Sequence, residues 1–326
     1  MEMGTSGSGY PEKALAIYES CIAPILGAFK QADSSDSLWI ESCDPGDTSV
    51  ARFRLFPGSL YLLWVEALGV KPHDCHARVA AAIECLHNAS LHHDDAIDGH
   101  SSRRGVTTAL AQHGFAAPVL AGDGLVGIGL RLLGTAPDLD CRLIVEYLGT
   151  AWHRMTQGQA MDEPAAWKSV PTEKHEQHWE LMTRSKLALG NVAAPLASAT
   201  VGRRDIVKSV AQLHERFSVA SQIMNDIGDL EGWEGFHTIG PSTRKRCEEA
   251  CRKPTIATIW SRASEDEVGG MALGRRALQQ VSLLTSEALK ELSGFSLQSP
   301  AADTLQDFFI RPLREMERVA RGHTPC

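Results

Sequence analysis

From residue 57 to the C-terminal region, apolar residues recur at three- and four-residue spacing in one segment after another, the period of a helix with one face in a core. The segments are SLYLLWVEALG, CHARVAAAIECLHNASLHHDDAID, APVLAGDGLVGIGLRLLG, LDCRLIVEYLGTAWHRMTQGQAMD, EQHWELMTRSKLALGNVAAPLASATVG and IVKSVAQLHERFSVASQIMNDIGDL, with a tail from about Met271. Strand-like alternation is scarce. Residues 116–133 and 187–201 are apolar nearly all round, which predicts helices at the centre of a bundle. Short Gly/Pro punctuation at 69–72, 134–137, 164–171 and 202–205 separates the segments, and no fixed-period repeat suggests a solenoid. Residues 1–10 are rich in Gly and Ser, and 31–49 read as a polar connector, with one helical stretch between them. The expected organisation is a mobile N-terminus with one helix over 1–49 and an all-α, antiparallel bundle over 50–326.

Composition narrows the setting. A chain of 326 residues can form one large helical core with a deep pocket. The eight cysteines include no CxxC pair, which suits a reducing compartment. The first residues lack an apolar signal-peptide region, and no stretch of about 18 apolar residues stands out, so no membrane span is expected and a cytoplasmic protein is. A net charge of −8 gives no reason to expect nucleic acid, so any phosphate site has to be a local cluster of basic residues.

Candidate chemistry concentrates in LHHDDAIDGHSSRRG, residues 91–105. On a helix, Asp94 and Asp98 share a face with Asp95 at its edge, so carboxylates from successive turns converge. Such a cluster within an apolar helix requires a compensating cation. Carboxylate oxygens suit Mg²⁺, whose coordination is commonly completed by water and substrate phosphates. Arg103 and Arg104 follow closely and could hold phosphate oxygens through bidentate contacts. A second cluster, SQIMNDIGDLEG at 221–232, places Asn225, Asp226 and Asp229 at the end of another apolar helix, so two acidic patches could face one cavity. HDCH at 73–76 lacks a second ligand pair at zinc spacing and reads as polar surface.

With both acidic motifs in view, the sequence resembles the polyprenyl synthetase family, the trans-isoprenyl diphosphate synthases, from about residue 51 to 260. Asp94, Asp95, Asp98, Arg103, Arg104 and Gly105 fit the family's DDxxD and RRG pattern position by position. ECLHNASLHHDD (84–95), VLAGDGL (119–125), GQAMD (158–162), the Lys186 segment and KPT (253–255) follow in the family's order. The resemblance implies the isoprenoid synthase bundle, a homodimer, and a cofactor of about three Mg²⁺ ions per site held by Asp94, Asp95, Asp98, Asn225, Asp226 and Asp229. It also implies an allylic prenyl diphosphate as substrate, with Lys186 and Gln222 near the reacting carbon. Lys186 would help hold the diphosphate, and the Gln222 amide oxygen would face positive charge.

Departures bear on the acceptor. The family's GGKRLRP segment, which holds the diphosphate of isopentenyl diphosphate, aligns with ARFRLFP at 51–57, so Arg54 remains while Phe53 and Phe56 replace two cations. A charge-assisted phosphate contact contributes roughly 1.5–3 kcal/mol, so the acceptor site is depleted. His87 and Arg104 match the other residues of that site. Asn225 replaces the first aspartate of the second motif, and Leu187 replaces the threonine after the family lysine. Arg244 and Lys245 are further basic candidates without motif support. Three readings are therefore open: a synthase with an altered acceptor site, a prenyltransferase using another acceptor, and a class I terpene cyclase. A non-catalytic subunit of the same fold is the alternative from another class. In the family that the sequence resembles, a bulky aromatic one turn upstream of the first motif closes the pocket floor at fifteen carbons, so the small Ala89 and Ser90 at those positions imply a pocket open to a C20 chain.

Overall fold

The computed structural model describes residues 9–32, 56–103, 106–136, 139–231, 253–263 and 270–320. Arg54, Phe53, Arg104, Gly105, Arg244 and Lys245 lie outside the described residues. The N-terminal part forms α1 (Tyr10–Ile17), a π-helical turn (Tyr18–Ile22) and α2 (Ala23–Ala32). Then come α3 (Pro57–Ala67), α4 (Asp74–Asp98), a two-residue hairpin of β1 (Ser102–Arg103) and β2 (Val106–Thr107), α5 (Ala109–His113) and α6 (Ala116–Gly134). The remaining helices are α7 (Cys141–Asp162), α8 (Pro164–Ser169), α9 (His175–Lys186), α10 (Ala188–Asn191), α11 (Ala193–Thr200), α12 (Val207–Glu231), α13 (Ile256–Ala263), α14 (Gly270–Ser293) and α15 (Ala301–Ala320). The architecture is all-α, as the periodicity predicts, and the hairpin pairs Ser102 with Thr107 and Arg103 with Val106.

The long helices pack as α4 on α6, α7 on α9, α12 on α14, and α3 between α4 and α11. Their inward positions follow the helical period: Val79, Ile83 and Leu86 on α4 meet the core with Leu125, Ile128, Leu132 and Leu133 on α6. Fully burying such a side chain stabilises the fold by about 1.5–3 kcal/mol, and the main core contains dozens of them. A smaller apolar cluster, built on Trp167, Trp179, Ile223, Ile256 and Trp260, sits where α9, α12, α13 and α14 meet.

Three expectations change on contact with this packing. Helix α6 contains a window long and apolar enough to cross a membrane by length and composition, where the sequence reading finds none; in the bundle nearly half of that window is buried. The N-terminal helix is part of the main core, with Tyr10, Ala14, Tyr18, Ile22 and Leu26 buried and the Ser59 hydroxyl donating to the Ala14 carbonyl. Phe56 does not line an open acceptor surface. It is 2% exposed, 5.8 Å from the Tyr18 ring, and its φ of 47° is one that side chains other than glycine adopt only at some energetic cost. Its burial holds that backbone in place at the head of α3.

One polar pair is sealed in the core: Trp64 Nε1 donates to His214 Nε2 at 3.0 Å, and burial lowers the His214 pKa to about 3, so the imidazole stays neutral and serves as an acceptor. Trp64→Phe should lower unfolding free energy by about 1–3 kcal/mol, because it leaves that buried nitrogen without its donor. A urea midpoint equal to that of the wild type would show that the pair contributes nothing.

Candidate active site

The site forms where α4 ends. Asp94 and Asp98 lie on successive turns, and Gly99, at φ 70°, reverses the chain so that the His100 amide donates to the Asp95 carbonyl at 3.0 Å. The Thr108 hydroxyl donates to the His100 carbonyl at 2.6 Å, tying the far side of the hairpin to the same turn. The hairpin then returns Arg103 to the helix, where Nε donates to Asp95 Oδ1 at 2.8 Å and Nη2 to Asp94 Oδ2 at 2.9 Å. Arg103, expected as a phosphate ligand, is therefore bound to both aspartates. Burial alone would lower its pKa, but Asp94 and Asp95 hold it raised.

A second element approaches from α7. At Gly158 a side chain has no room: a Cβ there would lie 2.2 Å from the Lys186 amide nitrogen, so only glycine lets α7 pass so close to the end of α9. One turn further on, Asp162 accepts from Lys186 Nζ at 2.8 Å. Lys186 Nζ also lies 3.4 Å from Asp94 Oδ1 and 4.0 Å from Asp98 Oδ2. From the residues that precede α13, Lys253 Nζ donates to Asp98 Oδ1 at 2.6 Å and lies 3.5 Å from Asp162 Oδ2. Burial would lower the pKa of both ammonium groups, yet Asp94, Asp162 and Asp98 hold Lys186 raised, and Asp162 and Asp98 do the same for Lys253. For Asp94, burial pushes upward, and the charges of Lys186, Arg103 and His100 overcome it to hold the carboxyl low. Asp94, Arg103, Lys186 and Lys253 are thus charged at neutral pH.

Asp162, Lys253 and His100 have no role assigned from sequence. The available signals were the acid that closes GQAMD, the lysine of KPT, and a histidine placed directly after the glycine that ends α4. Of the carboxylates expected to hold metal, Asp94 and Asp98 come together, and with His100 they offer ligand atoms all within 4.8 Å of one another. Asp95 is turned to Arg103 and lies 3.4 Å from His100 Nδ1. HDCH forms no such group among the described residues.

The second motif differs from the first. Asn225 is exposed, and the Asp229 side chain lies outside the described residues. Asp226, expected as a metal ligand, is buried and accepts three hydrogen bonds. Its Oδ2 accepts from Trp179 Nε1 at 2.9 Å and from the Ile256 amide at 2.8 Å, and its Oδ1 accepts from Gln222 Nε2 at 2.7 Å. The Gln222 amide thus points its nitrogen at Asp226 and keeps its oxygen as the acceptor end. Because Lys253 reaches Asp98 while the Ile256 amide binds Asp226, residues 253–256 connect the two motifs. His87 is half-buried. Ser90 donates its hydroxyl to the His87 carbonyl at 2.7 Å, and Ala89 is fully buried in the main core.

Comparison with known proteins establishes the family and the fold. The family model for polyprenyl synthetase matches residues 53–237, more than half of the chain. Farnesyl diphosphate synthase of Escherichia coli (strain K12) is 28% identical over 241 residues, covering 71% of this chain and 76% of that one. Geranylgeranyl diphosphate synthase of Saccharolobus solfataricus is 26% identical over 246 residues, covering 73% of each. The solved structure of geranylgeranyl pyrophosphate synthetase from the archaeon Geoglobus acetivorans shares the fold, with a TM-score of 0.68 at 20% identity over 91% of this chain and 99% of that one.

Asp226→Ala strands the Trp179 and Ile256 N–H groups in an apolar cluster, and each buried donor left unpaired destabilises by about 1–3 kcal/mol. The expected result is a lower thermal midpoint at any Mg²⁺ concentration. An unchanged midpoint would show that these hydrogen bonds contribute nothing to stability.

Proposed function

Since the chain belongs to the polyprenyl synthetase family, whose named relatives are prenyltransferases, we propose that it ionises an allylic prenyl diphosphate of C15–C20 length and passes the prenyl cation to isopentenyl diphosphate or another acceptor. The observation that carries this reading is the first motif. Asp94 Oδ1 is buried and accepts no hydrogen bond among the described residues, although Lys186 is near, and it belongs to a group whose ligand atoms all lie within 4.8 Å. Such a donor set fits a hard divalent cation. Asp94 and Asp98 would hold Mg²⁺, which when bound neutralises the diphosphate and stabilises departing pyrophosphate.

The remaining work falls to the chain's own side chains. Lys186 and Lys253 remain protonated and can take diphosphate oxygens, with Arg103 on the hairpin side; Arg104, which follows it in sequence, is a further candidate from the family motif. The allylic C–O bond breaks with its electron pair leaving on pyrophosphate. The Gln222 amide oxygen offers partial negative charge to the cation. An acceptor double bond then forms the new C–C bond, and a proton leaves the adjoining carbon. No side-chain nucleophile is required.

For the acceptor, the burial of Phe56 removes one expected cation position altogether, which favours an acceptor less dependent on its own diphosphate. The small, partly exposed Ser90 supports the longer chain length, whereas Ala89 is fully buried in the main core and presents no surface to a pocket. The homodimer reading is supported by exposed apolar side chains on α6 and α7, where Leu120 and Leu130 are 57% and 55% exposed and Val145 is also exposed. Incubation with Mg²⁺ and dimethylallyl, geranyl, farnesyl or geranylgeranyl diphosphate, each with and without isopentenyl diphosphate, tests the function when products are identified by mass. Absence of pyrophosphate release from every allylic substrate would leave a non-catalytic subunit.

Asp94→Ala and Asp98→Ala should each nearly abolish pyrophosphate release, since no neighbour at helical spacing replaces either carboxylate. Turnover close to wild type in either variant removes the metal assignment. At the acceptor side, Phe53→Lys should increase use of isopentenyl diphosphate, read as condensation product per ionisation event. Phe56→Arg should instead lose folded protein, because it places a guanidinium in the core beside Tyr18. A stable Phe56→Arg variant with raised condensation would restore position 56 to the acceptor site.

A further inference from the structure

The turn that closes α4 places a nitrogen ligand where the motif reading has only oxygens. His100 is 9% exposed, and its backbone is fixed from both sides by the Asp95 carbonyl and the Thr108 hydroxyl. Its Nδ1 lies 3.4 Å from Asp95 Oδ1, and the Asp95 carboxylate is anchored in turn by Arg103 Nε at 2.8 Å. One ring nitrogen of His100 stands within 4.8 Å of the ligand oxygens of Asp94 and Asp98. A carboxylate beside an imidazole that stands in a convergent ligand group can fix the tautomer and raise the basicity of a metal-binding histidine.

We propose that His100 is a third protein ligand to the divalent cation held by Asp94 and Asp98, with Asp95 as its positioning carboxylate, so that the site prefers Mn²⁺ or Co²⁺ over Mg²⁺ more strongly than two carboxylates alone would. The proposal rests on the reading of Asp94 and Asp98 as metal ligands and adds a specificity residue to it. The chemical ground is donor type. Imidazole nitrogen favours first-row transition ions, and affinity for a given mixed site rises from Mn²⁺ through Co²⁺, whereas Mg²⁺ is held best by oxygen alone.

The test is pulsed EPR on the full chain with one equivalent of Mn²⁺ and inorganic pyrophosphate, paired with calorimetric titration of Mn²⁺ and of Mg²⁺. The wild type should show a directly coordinated ¹⁴N coupling. His100→Ser should lose the coupling, and its preference for Mn²⁺ over Mg²⁺ should fall by at least the roughly ten-fold that loss of a supporting residue costs a metal site. Mn²⁺ bound without any ¹⁴N coupling in the wild type overturns the role of His100 and leaves the carboxylate reading standing, and this result needs no variant to fold. A coupling that persists in His100→Ser comes from another histidine and likewise overturns the proposal. Asp98→Ala serves as the control for the underlying reading: unchanged Mn²⁺ affinity there means the ion sits elsewhere, and both readings fall together.

Discussion

The Asp162 carboxylate is the point on which the site depends. It accepts from Lys186 at the end of α9 and lies 3.5 Å from Lys253 ahead of α13, while those same ammonium groups reach Asp94 and Asp98 on α4. Three helices and the approach to a fourth are thus held in register by one network. A partly buried ion pair is stable only if its geometry and its remaining hydrogen bonds offset the loss of hydration. Here the carboxylates Asp94, Asp95, Asp98 and Asp162 interleave with Arg103, Lys186 and Lys253, so no charge stands without an opposite neighbour.

That interleaving also governs chemistry. On the proposed reading, the same cations that compensate the carboxylates would take diphosphate oxygens, so anion binding and metal binding would draw on one set of groups. A divalent ion held by Asp94 and Asp98 would, on that reading, weaken the hold of those carboxylates on Lys186 and Lys253 and leave the ammonium groups available to phosphate. Gly158 makes this geometry possible, because a single methyl group at that position would meet the Lys186 backbone and move the lysine away from both aspartates.

Much of this was legible in the sequence because helices declare themselves locally. Period and punctuation gave the bundle, and the Asp94 and Asp98 spacing gave a shared face that the structure retains. Features set by contacts distant in sequence were not legible. Nothing within ARFRLFP shows that Phe56 packs on Tyr18, since that depends on the π-helical turn and its docking to α3. Nothing within SQIMNDIGDLEG shows that Asp226 binds Trp179 and the Ile256 amide, which belong to other helices. Asp162 and Lys253 sit in segments that the family order marks, yet their meeting at Asp98 arises only when α7, α9 and the approach to α13 converge.

The two acidic motifs therefore carry unequal loads. In the first, the carboxylates of Asp94 and Asp98 remain directed at a common point and are supported by a ring of cations. In the second, Asp226 is committed to holding α9, α12 and the start of α13 together, and Asn225 presents an uncharged amide to solvent. An aspartate at 225 would add charge beside a carboxylate already serving the fold, whereas asparagine avoids that repulsion and still offers a carbonyl oxygen. If His100 joins Asp94 and Asp98 as proposed, the uncharged Asn225 at the second motif and the imidazole at the first would be parts of one arrangement: with less carboxylate charge on one side of the site, the supported imidazole would concentrate binding on the other.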